Sequence, residues 1–202
     1  QVALVGGHWV GRQQRDLPTP FRAMARFREE PIGEVRLKHG GTQIIKHVRT
    51  LGAVCKDTPK MVFSAEPVRK LGGRGYWYEL RVDEFTPAEV CVMALGFTST
   101  DPEKLQAQLE EEGGKLPGRA HKIPGTYVIG YARSAHWDGE RIKVANVFEK
   151  LVPFKIFTIG ALATPAGSLE IYMDRRLVLS VDPADQGLPP MPTDEPLWAV
   201  VD

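Results

Sequence analysis

The most reactive residue types at the closest spacing lie in SAHWDGER, where Ser134, His136 and Asp138 alternate with other residues. A serine, a histidine and an aspartate are the nucleophile, general base and orienting acid of acyl-transfer chemistry. Residues two apart on a strand share a face, but a triad needs groups that converge through a folded site. The chain has no G-x-S-x-G elbow to present the serine. The stretch therefore reads as a polar surface loop. Its Trp137, set among Ala, His, Asp and Gly, is either a binding anchor or a ring folded back on the domain. A metal site has no better support: His8, His39, His47, His121 and His136 are scattered, with no i, i+4 pairing, so neither metal nor cofactor is expected. GGRG, at Gly72 to Gly75, lacks the Walker lysine and the strand-to-helix setting of a phosphate loop, and reads as a turn.

Composition limits the partner classes. Of 202 residues 43% are hydrophobic, enough apolar surface for a real core in one large domain or two small ones. Twenty-six Lys and Arg against 25 Asp and Glu leave a formal charge of +1, so no broad field recommends nucleic acid or an acidic membrane. The longest apolar candidate, Leu151 to Gly167, contains Lys155 and two prolines and fails as a membrane span, which needs roughly 18 uninterrupted apolar residues. Cys55 and Cys91 show no C-x-x-C spacing and read as free buried thiols, implying a reducing, intracellular and cytoplasmic setting. The chain starts at Gln1 without Met and stops at Asp202 within an apolar run, as a piece of a longer or processed protein would.

The positioning elements are strands. Residues 1–20 hold three glycines and two prolines around GRQQRDLPTP and read as an extended lead-in. From Phe21 to Asp202, about a dozen short strand candidates are separated by Gly, Pro or Asp, the signature of an antiparallel two-sheet β-sandwich or barrel. In YWYELRVD, Tyr76, Tyr78, Leu80 and Val82 face one way and Glu79, Arg81 and Asp83 the other, with Trp77 out of pattern. SLEIYMDRRLVLSV predicts a hairpin turning at Asp174 to Arg176. One short helix is expected in STDPEKLQAQLEEEGG, with Thr100 or Asp101 as N-cap, Pro102 at the first position, Gly113-Gly114 as the stop, and Leu105 and Leu109 on one face. The polar burst after VCVMALGF is thus a capping device. Asp182 to Pro196, with five prolines, reads as a surface loop too polar to pack.

Three motifs in order carry a family resemblance: Val62-Phe63-Ser64 with Pro67-Val68, then Leu95-Gly96-Phe97-Thr98 with Asp101-Pro102, then Pro196-Leu197-Trp198-Ala199-Val200-Val201-Asp202. Together they resemble the Neuralized homology repeat, the NHR domain, over roughly Phe21 to Asp202, and GYWYELRV also resembles a SPRY strand. The resemblance implies an all-β, SPRY-related sandwich that serves as a protein-binding module. Such modules are often joined to ubiquitin ligases. Two cysteines cannot build the cross-braced zinc site of a RING, so any ligase segment lies elsewhere.

The expected function is therefore a non-catalytic recognition domain that takes a peptide or protein partner on loops at one end of the sandwich, possible substrate adaptation for a ubiquitin ligase being the extension. Candidate contacts are Arg74, Arg133, His136, Trp137, Asp138 and Arg141, from RKLGGRG and ARSAHWDGER, beside the Pro-rich loop. The alternatives are a structural subunit of a large assembly and, third, a hydrolase on Ser134, His136 and Asp138. Trp198 is expected in the core.

Overall fold

The computed structural model describes residues 2–5, 8–11, 28, 36–38, 43–45, 61–83, 93–131, 133–145 and 156–202. The first strands are β1 (Val2–Val5), β2 (His8–Gly11), β3 (Arg36–Lys38) and β4 (Gln43–Ile45). Then come β5 (Val62–Phe63), β6 (Tyr76–Val82), β7 (Ala94–Thr98) and the helix α1 (Pro102–Glu111). β8 (Thr126–Gly130), β9 (Ser134–Trp137) and β10 (Glu140–Lys143) follow. The chain continues through β11 (Phe157–Ala163), β12 (Leu169–Met173), β13 (Arg176–Val181) and β14 (Trp198–Val201).

One sheet has the order β2-β1-β13-β12-β11-β6 and the other β10-β9-β8-β7-β14-β5, with β3 and β4 paired apart from both. Pairing is antiparallel except where β1 runs parallel to β13. The expected two-sheet sandwich with one helix is the fold. The lead-in differs from its reading: β1 and β2 pair through Val5 and His8 and extend the first sheet. The two short apolar runs on either side of Gly6-Gly7 were the hairpin signal in that segment. The strand candidate FRAMARF and the thiols Cys55 and Cys91 lie outside the described residues.

The inward residues of both sheets form the main core, among them Tyr78, Leu95, Phe97, Ile129, Trp137, Ile159, Ile171, Leu179 and Leu197. β6 alternates as its period required, and the out-of-pattern Trp77 lies on the outer face. There its ring meets Tyr172 edge-on at 5.3 Å and covers Gly160, where a Cβ would fall 2.1 Å from the indole. The β12–β13 hairpin turns on Asp174 and Arg175, both at positive φ (46° and 62°), the twist a two-residue turn demands.

A polar contact ties the sheets together inside this apolar layer. The Tyr78 hydroxyl, from the first sheet, donates toward the carbonyls of Gly96 and Val200 at 3.0 and 3.1 Å, and accepts from the Gly96 N–H at 2.9 Å. Burial pushes its pKa well above the ordinary phenol value, so it stays a neutral donor. Position 96 must be glycine because a Cβ would stand 2.0 Å from the Tyr127 carbonyl oxygen. Burial of the Tyr78 ring edge-on to Phe97, at 5.2 Å, fixes the hydroxyl's aim.

The loop from Asp182 to Pro196 is not the unpacked polar loop its composition suggested. Met191 is buried in the main core, and Leu188 packs against it. Gly167 admits the loop by having no side chain, since a Cβ there would lie 2.5 Å from Pro190. Two apolar side chains suffice to plug the end of the sandwich, and the prolines have no N–H that needs an acceptor on the way.

Removing the Tyr78 hydroxyl leaves the ring's packing but takes one hydrogen-bond partner from the Gly96 N–H and from the carbonyls of Gly96 and Val200. Tyr78→Phe is expected to lower unfolding free energy by about 1–3 kcal/mol, measured by urea denaturation. An unchanged midpoint would show that the hydroxyl holds nothing.

Candidate functional site

The loops at one end of the sandwich are stitched by the polar burst after β7. Asp101 caps α1 by accepting from the Glu103 N–H at 2.9 Å, and Pro102 occupies the first helical position. Thr98 Oγ1 accepts from the Thr100 N–H, and Thr100 Oγ1 donates to the Pro124 carbonyl at 2.6 Å. The Ser99 N–H donates to the Gly125 carbonyl, and Gly125 N–H donates to Asp138 Oδ1 at 2.7 Å. On the other side, Tyr76 Oη donates to the Glu195 carbonyl at 2.6 Å, drawing the 72–74 turn and the Pro-rich loop to the same end. Between them opens a cleft of about 410 Å³. It is lined on one side by the N-cap Asp101 with Lys104, Leu105 and Gln108 of α1, on the other by Glu195, Pro196 and Trp198, and also by Ser99 and Thr100. Trp198 is half-buried rather than core: β14 alternates, so Leu197 and Ala199 point inward and Trp198 faces the cleft.

The expected contact residues scatter. Arg74 and Asp138 are exposed at the cleft end. Arg133 is at the opposite end, where its carbonyl accepts from Val144 N–H. Trp137 is not an exposed anchor: it is 1% exposed, its ring meets Tyr127 at 5.0 Å, and its indole N–H donates to the Pro189 carbonyl at 2.8 Å. SAHWDGER is a hairpin, not a loop, because Asp138 and Gly139 take positive φ (48° and 91°) between alternating residues. Asp-Gly between such runs was the signal for it. Ser134 and His136 therefore face outward on β9, and Ala135 and Trp137 face the core. Ser134 Oγ accepts from Arg141 Nε at 2.9 Å while Asp138 binds Gly125, so Ser134, His136 and Asp138 do not converge.

The outer face of the second sheet gathers residues that spacing kept apart. α1 and the turn Ala120–Lys122 cover it around a small core of Met61, Phe63, Ala94, Leu116, Ile123, Val128 and Val200, with Leu105 and Leu109 packed against it as their spacing predicted. Beside this core the His121 and His136 rings stack at 4.0 Å, and Tyr131 meets both edge-on. Tyr131 Oη donates to Asp202 Oδ2, which also accepts from the Ala120 N–H at 3.0 Å. His121 Nδ1 is buried without a hydrogen-bond partner. Burial above all, then the neighbouring His121, Arg141 and Arg119, pushes His136 down to about 4. Burial, Arg119 and Lys122 also lower His121, against the pull of Asp202.

Comparison with known proteins places the chain. A family model described as Neuralized matches residues 34–202. The chain belongs to the Neuralized family. The solution structure of the NEUZ (NHR) domain in Neuralized from Drosophila melanogaster is 18% identical, with 92% of this chain and 88% of that one covered and a TM-score of 0.54. The crystal structure of the Drosophila melanogaster neuralized-NHR1 domain is 19% identical, covers 88% and 89%, and scores 0.48. A carbohydrate-binding module from Bacillus subtilis is 14% identical, covers 91% of each chain and scores 0.42. The likeness to the solution structure shows a shared fold. No curated protein sequence matches.

The NHR domain is a protein-interaction domain. Most Neuralized motif residues hold the fold: Ser64 Oγ accepts from Ala199 N–H, Val68 N–H donates to the Leu197 carbonyl, and Gly96 admits Tyr127. Trp198 alone among the closing motif's large side chains reaches the cleft. Among the described residues, no group of histidines, cysteines and carboxylates could hold a metal ion, and no helix is long and apolar enough to cross a membrane.

The lowered His136 sets a pH dependence. Its folded value lies below the unfolded 6.5, so its contribution is complete above about pH 6.5 and is lost as pH falls toward 4. Between pH 7.5 and 5.0 the unfolding free energy is expected to drop by about 1–2 kcal/mol more in the parent than in His136→Gln, measured by urea midpoints. Equal drops would remove His136 as the cause.

Proposed function

We propose that this Neuralized-family chain recognises a peptide or protein partner at the loop end of the sandwich, with the cleft between α1 and Glu195–Trp198 as the seat. The observation that carries the reading is the half-buried Trp198 sharing a cleft with Leu105 and Pro196, the rest of whose lining is polar. A flat aromatic beside a leucine offers apolar area to an incoming side chain, while Lys104, Gln108, Asp101 and Glu195 supply directional contacts around it. The walls are rigid: α1 is capped and packed on the outer core, and β14 is held by Tyr78. Arg74 and Asp138 lie at the same end and join the contact surface, whereas Trp137 supports it from beneath by anchoring Pro189. Presentation of that partner to a ubiquitin ligase is the extension we draw from the family resemblance.

Peptides selected on the chain from a random library should bind Trp198→Ala about tenfold or more weakly than the parent by calorimetry, as truncation of a buried aromatic contact does. Lys104→Glu should alter selectivity for charged peptides with little loss of stability. Trp137→Ala should instead lower the melting temperature, because it empties the core. Selected peptides that bind the Trp198 and Lys104 variants as tightly as the parent would place the recognition site elsewhere.

A further inference from the structure

The turn Ala120–Lys122 is fastened to the outer face of the second sheet in two ways, one by hydrogen bonds and one by stacked rings. The Ala120 N–H is shared between Tyr131 Oη at 3.1 Å and Asp202 Oδ2 at 3.0 Å, and Tyr131 Oη donates to the same carboxylate. Beside it the His121 ring stacks on His136 of β9 at 4.0 Å and 21° between planes, and Tyr131 meets both rings edge-on. Ala120 and Ile123 drop into the outer core on either side, 0% and 1% exposed. His121 Nδ1 is buried without a hydrogen-bond partner, so an N–H placed there by protonation has no acceptor to point at. Among the described residues, the charged and titratable groups that face the two imidazoles are Arg119 and Lys122 of the turn, Tyr131 after β8, Arg141 on β10 and Asp202 after β14. Three are cations and one is a carboxylate, so a proton added to either ring meets net repulsion.

We propose that this contact is a proton-released latch: uptake of a proton by the stacked His121 and His136 parts the rings and frees residues 119–123 from the sheet, while the two-sheet core stays folded. Once apart, each imidazole is solvated and regains its ordinary affinity for protons. In the stack His136 lacks it, because burial and then His121, Arg141 and Arg119 hold it down at about 4. The closed turn is therefore fully favoured above about pH 6.5 and loses ground as pH falls toward 4. From pH 7.0 to 5.0, His136 alone raises the ratio of open to closed turn about twentyfold. Local release is compatible with the fold: the Lys122 N–H donates to the Arg119 carbonyl and the Ile123 N–H to that of Ala120, so departure of the turn breaks no strand ladder. What it uncovers is the outer core around Ala94, Val128 and Tyr131, apolar surface that neutral pH keeps covered.

The test is native-state amide exchange of the full chain, followed by NMR at pH 7.0 and 5.0 with and without low urea, in the parent and in His136→Gln. Corrected for intrinsic rates, opening at the Ala120, Lys122 and Ile123 amides should rise about twentyfold in the parent on acidification and about threefold or less in the variant. Those openings should be insensitive to urea and more frequent than those of the β7 and β8 amides. Equal rises in the two proteins would overturn the latch. So would turn amides that exchange only together with β7 and β8 and with the same urea dependence, since global unfolding then accounts for them. If His136→Gln does not fold, His121→Gln takes its place: it removes the stack and leaves His136 solvated, so its turn should open more often at pH 7.0 and respond less to acid. An acid response as large as the parent's would sink the proposal. Peptide binding plays no part in this readout, which separates the outcome from the fate of the cleft reading.

Discussion

A single buried hydroxyl decides how the two sheets sit on each other. Apolar side chains drive the layers together, but burial is non-directional and would tolerate several registers at nearly equal free energy. Tyr78 removes that freedom. Its oxygen is both donor and acceptor at one point of β7 and reaches β14 as well, and each unmade bond would leave a polar group buried. The contact requires Gly96, because only a residue without Cβ lets β7 approach β8 so closely at that position. Downstream, the end of β7 launches α1 and the start of β14 carries Trp198, so both walls of the cleft inherit their separation from this contact.

The second sheet is used on both faces. Inward it shares the main core, and outward it carries a smaller one under α1 and the Ala120–Lys122 turn. Asp202 pins that turn through Ala120 and Tyr131, and the turn in turn presses His121 onto His136. Two stacked imidazoles with cations around them are stable only while neutral, and burial and charge enforce that state together. Polar groups therefore fasten the surface turn to this sheet, as the Tyr78 hydroxyl fastens the two sheets to each other.

Local periodicity and punctuation made most of the architecture legible. Turn residues bounded the strands, Asp101 and Pro102 marked the start of α1, and the alternation of β6 separated core from solvent, since each of these depends on neighbours in sequence. The Asp138-Gly139 turn is equally local, but the polar residue types around it fit a loop as well as a hairpin, so composition alone does not separate the two. Once β9 is a strand, alternation alone sends Trp137 into the core and His136 outward. The Pro-rich loop packs despite its composition, because average polarity conceals two apolar side chains that need only a gap at the end of a sandwich.

By itself the sequence determined the class of fold, the capped helix, the turn-bounded strands and the motifs of the Neuralized family, all of which follow from contacts between near neighbours in the chain. Only the tertiary structure decided which surfaces meet. His121 and Asp202 join Tyr131 and His136 across a sheet, and Trp198 shares a cleft with Leu105, with no periodicity linking them. The physical reason is that strand order and register, set by inter-sheet packing and the Tyr78 bonds, bring together residues whose separation along the chain says nothing of their separation in space.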